Sequence, residues 1–283
     1  MWIGQPGALR EITDGASSFD RSPDVAVSEF RSLAGGVTVW APSLIPRRYK
    51  IAWDAMGPGD ASHIDGLARQ VAYMGPLVVL DPLASNLLSG QQSIGRGAAS
   101  QWGYVATEVK LVGVNAPPVS QVANVTALPA SGATEIVWLN PSWFGYPVAS
   151  WQPVTWWPYS LAKYASSAVE GLYLHWYSSA NTLISSSMQS DSTRPLVAKA
   201  PGNAAFVRPA VRLKATGFFT LGLSVLALGD TAADLLAAGA SLPVGEGSPS
   251  FSITAYRNVA TPENGYYRDI ALDLVEVTSN AVG

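Results

Sequence analysis

Most apolar segments of this chain alternate with polar positions, which is the pattern of strands with one face buried. Arg47 to Asp54 shows it best. Tyr49, Ile51 and Trp53 share one parity and Arg48, Lys50 and Asp54 the other, predicting a half-buried strand. Ahead of it, Trp2-Ile3, Ala8 to Ile12 and Val37 to Trp40 read as short extended pieces between Pro and Gly turns. Gly57-Pro58-Gly59 stops the strand. Ile64, Leu67, Ala68 and Val71 then fall at i, i+3, i+4 and i+7, predicting a helix with one buried stripe, and Asp60 is placed to cap its first turn. Leu77 to Leu80, wholly apolar and followed by Asp81-Pro82, is predicted to be a buried strand.

Ser89 to Ser100 (SGQQSIGRGAAS) is rich in Gly and Ser and is the best linker candidate. Beyond it, strand-like runs recur between turn residues: Tyr104 to Val114, Thr134 to Leu139, Gly171 to Tyr177, Ala204 to Lys214, Phe218 to Leu228, Ser250 to Tyr256 and Ile270 to Val277. In the Ala204 run, Ala205, Val207, Val211 and Leu213 share a face, with Arg208, Arg212 and Lys214 on the other. Asp230 to Gly239 is the one helical stretch of this half. The fold class expected is therefore mostly β. Residues 1–95 would form a β-rich domain with one helix, and residues 96–283 a β-sandwich of jelly-roll type. Residues 140–160 are open to a second reading, as a large loop inserted in that sandwich.

Composition narrows the function. Only 13% of the 283 residues are charged, against about 25% in ordinary globular chains, so much of the exterior is expected to be covered by other subunits. The net charge of −3 and scattered basic residues argue against a nucleic-acid partner. No signal peptide is visible, and the longest apolar stretch, Gly217 to Gly229, is too short to span a bilayer, so no membrane insertion is expected. With no cysteine and only His63 and His175, neither a metal nor a cofactor is expected. No G-x-S-x-G elbow, P-loop or G-x-G-x-x-G occurs, and the expectation is that the chain is not an enzyme. A glycosidase would have to pair two carboxylates from candidates such as Glu135, Asp191, Glu246 and Glu263.

Aromatic density is the strongest local signal. Six of the ten tryptophans lie between Trp138 and Trp176. Large rigid rings with polar edges serve equally to stack on sugars, to fill subunit interfaces or to build a sandwich core. Trp143, Trp151, Trp156 and Trp157, in turn- and proline-rich sequence, are the candidates for carbohydrate binding, with Tyr159 beside them. His175, at the parity of Tyr173 and Tyr177, reads either as a ligand contact or as an ordinary hydrogen-bonding strand residue.

The order of segments carries a resemblance. MWIGQPGALREI, RRYKIAWDAMG, DASHIDGLARQ and GPLVVLDPLASNLL, with Asp81, Pro82, Asn86, Leu87 and Leu88 as the most distinctive piece, resemble the N-terminal half of minor tail proteins of phages. The nearest likeness is to the distal tail proteins of long-tailed phages that infect actinobacteria. GLYLHWYSSANTLISSS, followed by KAPGNAAFVRPAVRL, is similar to the jelly-roll, carbohydrate-binding-module domains appended to such proteins, although no calcium-ligand cluster accompanies it. SFSITAYRN and YYRDIALDLVEV resemble their closing strands. The resemblance implies a homo-hexameric ring in the virion, assembled in the host cytoplasm. It would join the tail tube protein to the tail hub and tip, with the tape measure protein as a further neighbour. Ring contacts are then expected from Trp2, Arg47, Arg48, Tyr49 and Trp53, and the second domain would face a host cell-envelope glycan. Rival expectations are a carbohydrate-recognition protein and a glycan-degrading enzyme.

Overall fold

The computed structural model describes all residues except 24–27, 32–35, 41–45, 72–74, 82–83, 117–118, 262–265 and 278–283. Glu263 and Pro82 therefore lie outside the described residues. The chain is mostly β-strand with a few short helices. It divides into two compact units, one of Met1–Leu9 with Val78–Ser248 and one of Arg10–Leu77 with Pro249–Gly283. The boundary expected near residue 95 falls inside the first unit, and the C-terminal strands belong with the N-terminal ones.

The first unit is built on an antiparallel sheet that runs Leu183–Gln189, Val169–Tyr177, Phe206–Leu213, Thr134–Trp138 and Trp102–Gly103. Tyr146–Pro147 adds to the Phe206 strand. A second sheet runs Leu196–Lys199, Pro153–Pro158 and Ser224–Leu228, and a third Gly217–Thr220, Val119–Val125 and Val109–Ala116. Alternation places Val207, Val211 and Leu213 fully inside while Arg208 and Arg212 stay half-buried, as the parity of the sequence predicts. Trp156, in the middle strand of the second sheet, meets Trp138 of the first edge-on at 4.9 Å. Its indole N–H donates to the Ala210 carbonyl at 3.1 Å. Residues 140–160 are thus not one inserted loop, since Pro153–Pro158 is a central, buried strand. Phe218 to Leu228 is not one strand, because the chain breaks at Leu223, whose φ is +53°.

The expected linker lies within the first unit and is partly buried, with Gln92, Ser93, Gly95 and Gly97 inside and Gln91, Arg96 and residues 98–100 exposed. Ser89 caps a short helix, Gly90–Ser93, by accepting from the Gln92 N–H. The Gln92 side chain is buried, donates to the Gln101 and Leu139 carbonyls, and accepts from the Tyr146 hydroxyl at 2.5 Å. Burial pushes the Tyr146 phenol far up, and the bond to Gln92 offsets this only in part. Glycine serves here for close approach: a Cβ on Gly90 would fall 3.2 Å from the Gly245 carbonyl oxygen, and one on the facing Gly245 2.0 Å from the Leu88 carbonyl oxygen. Asn86, wholly buried, is the most connected polar side chain of this region. Its amide donates to the Ser224 and Pro243 carbonyls and accepts from the Leu88 and Leu226 N–H groups.

The second unit holds a four-stranded antiparallel sheet in the order Ser250–Ala260, Arg268–Val277, Arg47–Met56 and Ser18–Pro23. A two-stranded hairpin, Ser28–Arg31 with Val37–Trp40, belongs to the same unit. Tyr49, Ile51 and Trp53 point into its core, with Tyr49 against Phe251 at 4.6 Å. Tyr49 and Trp53, expected at a ring contact, are 4% and 1% exposed, so they are committed to the unit's own interior. Arg48 is exposed, and Arg47 is half-buried against Glu276 at 2.9 Å. Trp2, in the first unit, is half-buried on a strand paired at Leu80.

The helix spans Pro58–Ala68 and buries Ile64 and Leu67. Val71 lies past its end and is 70% exposed, so the predicted stripe is one turn too long. Asp60 does not cap it. Gly57 occupies that position, its own N–H bonded to the Asp14 carboxylate, and Pro58 opens the helix. The Asp60 carboxylate instead accepts from the Thr13 N–H and hydroxyl and from Arg10. Burial alone would raise this carboxyl, but the Thr13 and Arg10 contacts outweigh it and hold it below the usual range.

Two outcomes follow. A depressed native carboxyl contributes stability that is present above its unfolded value and lost as pH falls through the lower native value. Asp60→Asn should therefore cost about 1–2 kcal/mol at neutral pH and less in acid, measured by urea melts between pH 7 and pH 3. Equal losses at both ends of that range would contradict it. Asn86→Ala removes this partner from four backbone groups, three of them in buried bonds, and should cost on the order of 3 kcal/mol or more, by the same melts.

Candidate functional site

The strand Pro153–Pro158 positions the site. Because successive side chains point to opposite faces, turning Trp156 toward the larger sheet turns Trp157 away from it. Pro158 then ends the strand and the helix Tyr159–Tyr164 begins, with the Tyr159 N–H bonded to the Leu223 carbonyl. The two neighbouring rings, Trp157 and Tyr159, meet edge-to-face with centroids 5.1 Å apart and planes at 86°.

These rings border a cleft of about 420 Å³. Ala162 and Lys163 come from the short helix, Ser166 from the turn after it, Thr193 from an exposed turn, and Leu236 and Gly239 from the end of the helix Ala232–Ala238. Lys163 is the one charged residue among the described lining residues. Thr193 is held by Asp191, whose carboxylate accepts from both its N–H and its hydroxyl. Those two bonds lower the Asp191 carboxyl, the Thr193 hydroxyl contributing most. The Trp157 indole N–H is buried and has no acceptor within the chain. The volume falls in the ~300–1,000 Å³ range of small-molecule sites, but Trp157 and Tyr159 are only 4% and 9% exposed, so little of either ring faces it.

The remaining candidates for sugar binding are dispersed. Trp156 is wholly buried, and its one polar atom is spent on Ala210, so it is a core residue rather than a binding one. Trp143 is half-buried, its backbone N–H held by the Asn140 side chain. Trp151 is 70% exposed and sits at φ +65°, a conformation that costs a non-glycine residue of order 1 kcal/mol or more. Its ring lies across Gly202, where an added Cβ would come within 2.6 Å of Cζ2. The structure therefore brings Trp157 and Tyr159 together and leaves the other three apart.

The other lining residues come from separate elements. Lys163, Ser166, Thr193 and Leu236 carry no sequence signal, since they converge only through the packing of separate turns and helices. His175 belongs to a different feature, on the larger sheet. Its Nδ1 lies 2.7 Å from the Ser186 hydroxyl, and its Nε2 lies 3.3 Å from Glu135, outside hydrogen-bonding geometry. Tyr173 stacks on its ring at 5.7 Å. Next to it Arg208 lies 3.6 Å over the Phe144 ring and donates to the Phe144 carbonyl. A second cleft, of about 650 Å³, lies in the other unit between Pro58, Ser62, Asp65, Asn258 and Arg268. There the Asp65 carboxylate is already engaged by Arg69 and by the Tyr256 hydroxyl. Burial, with help from that carboxylate, pushes the Tyr256 phenol up to about 12.

Because the Trp151 ring is mostly in solvent, little packing is lost with it. Trp151→Gly should leave the melting midpoint unchanged or raise stability by up to about 1 kcal/mol. A loss of more than about 1 kcal/mol would show that the ring supports the fold. The chain matches no protein-family model and no curated protein.

Proposed function

We propose that this chain is a structural subunit of a phage tail tip, a ring-forming adaptor between the tail tube and the tip. The observation that carries this reading is a surface poor in charge and rich in large apolar side chains. Only 13% of residues are charged, yet fifteen large hydrophobic residues stand exposed among the described residues. Phe30 and Val37, at 64% and 54%, sit on paired strands of one small hairpin, and Tyr266 and Tyr267 are 59% and 43% exposed. Single exposed apolar residues are ordinary, but this many with so little charge favour a chain that is covered in its working state.

The segment order supports the same reading. RRYKIAWDAMG and DASHIDGLARQ, which carry much of the likeness to distal tail proteins, are the strand Arg47–Met56 and the helix after it. The C-terminal segments with the same likeness pair with that strand, Leu274 opposite Tyr49. In this reading the neighbours are the tail tube, tape measure and hub proteins, the ring is a homo-hexamer in the virion, and a jelly-roll first unit faces the host envelope. The ring contact would use exposed groups such as Phe30, Val37 and Arg48 in place of Tyr49 and Trp53.

Light scattering on a sizing column, with and without purified tail tubes, tests the reading. A particle near six times the 29.7 kDa chain mass is the expected outcome. Phe30→Glu should reduce it to single chains without changing the melting midpoint, since this side chain is largely in solvent. A chain that stays single and does not sediment with tubes would sink the proposal.

A further inference from the structure

We infer that the outer edge of the strand Leu183–Gln189 takes up an extended, uncharged segment of a partner protein as one more strand of the large sheet. Leu183–Gln189 ends that sheet and pairs only with Val169–Tyr177. Its other edge makes no backbone bond among the described residues. None of its seven side chains is buried, and Leu183 and Met188 are 53% and 49% exposed. A row of unpaired N–H and C=O groups is a template for another strand, and native proteins guard such rows with charge or proline. The other described edge strands of comparable length follow that rule. Val109–Ala116 carries Lys110, Ser250–Ala260 carries Arg257, and Ser18–Pro23 carries Asp20, Arg21 and its terminal proline. Leu183–Gln189 (LISSSMQ) has neither charge nor proline. A long edge left unguarded is one that a partner covers.

The edge also sets the chemistry of its occupant. In strand addition the backbone bonds supply affinity, and the flanking side chains select the segment. A charged group on the incoming strand would find no counter-ion along these seven residues. Ser185 and Ser186, exposed in the middle of the strand, suit Ser or Thr across the pair, and Leu183 and Met188 near its ends suit aliphatic residues. The edge is held ready by its neighbours. The Ser186 hydroxyl lies 2.7 Å from His175 Nδ1, and the Ser187 hydroxyl accepts from the Trp176 indole at 2.9 Å. The Gln189 side chain donates to the carbonyls of Asp191, Arg194 and Pro195 and so fixes the turn that follows. A strand already formed loses little freedom on pairing. The same turn argues against a second copy as the occupant. An antiparallel pair about a two-fold axis would set Leu183 of each chain beside the other's turn, where the Asp191 and Arg194 side chains are 55% and 75% exposed. Every group used lies in the first unit, so the inference does not depend on ring formation.

The test is a titration of the whole chain with the neutral peptide acetyl-Val-Thr-Thr-Thr-Val-Thr-amide, read by fluorescence anisotropy of the labelled peptide and by amide hydrogen exchange. A Kd on the order of 1 mM or tighter is expected for one short strand. Exchange should slow at residues 183–189 and at no other edge strand. The same peptide N-methylated at every residue has no N–H to give and should not bind. Met188→Lys, a change at an exposed side chain that restores a guard to the edge, should weaken binding about fivefold with the melting midpoint unchanged. The proposal is overturned if the neutral peptide gives no anisotropy change at about ten times the expected Kd. It is equally overturned if protection appears on another edge instead, or if the N-methylated peptide binds as well. A species of twice the 29.7 kDa chain mass that Met188→Lys disperses would give the edge to a second copy and overturn it too. Failure of the ring would be read separately, from the particle mass without peptide.

Discussion

The first unit depends on Trp156. Its indole is buried between two sheets, its edge meets Trp138, and its N–H reaches the Ala210 carbonyl in the central strand of the facing sheet. A tryptophan can do this because it joins a large apolar surface to one polar atom, and a buried donor left unpaired would cost more than the bond itself contributes. Once Trp156 is pinned inward, strand periodicity leaves the next residue no choice. Trp157 must face the opposite way, where Tyr159 and the short helix close around it.

Buried amides do comparable work nearby. Asn86 and Gln92 satisfy backbone groups that no neighbouring strand or helix reaches: the turn at Leu88, the outer edge of the strand Ser224–Leu228 at Leu226, and the carbonyls of Gln101, Leu139 and Pro243. Irregular chain can be buried only where such partners exist. That is why residues 86–103, which would otherwise read as a flexible connection, are packed as part of the first unit, with Asn86, Gln92 and Trp102 buried. Full satisfaction also makes these groups specific, because a shifted register would leave several of them without partners.

Exposed and buried apolar residues do different work here. An assembly surface needs apolar side chains that remain in solvent until a neighbour covers them, and Phe30 and Val37 on the hairpin are of this kind. Trp157 and Tyr159, 4% and 9% exposed, are instead held in the interior of the first unit. Trp151 belongs to neither group. It is exposed and strained over Gly202, a display that the local hydrogen bonds from Trp151 to Ala200 and from Ser150 to Gly202 maintain.

By itself the sequence determined the class of structure and much of its local order. Alternation at Arg47–Met56 and Phe206–Leu213 identified strands and their buried faces, because period two is written into which side chains can leave water. The helix after Gly57 and the short one near residue 232 were legible for the same reason, as was the aromatic zone that contains the cleft. Only the tertiary structure decided the rest. That Asp60 turns to Thr13 and Arg10 rather than to its own helix, and that Arg268–Val277 closes a sheet begun at Ser18, depends on groups far apart along the chain. Which tryptophan lines a cleft and which fills a core was likewise undecidable locally. Trp156 and Trp157 are adjacent and chemically identical, and what separates them is which sheet lies on which side of their strand.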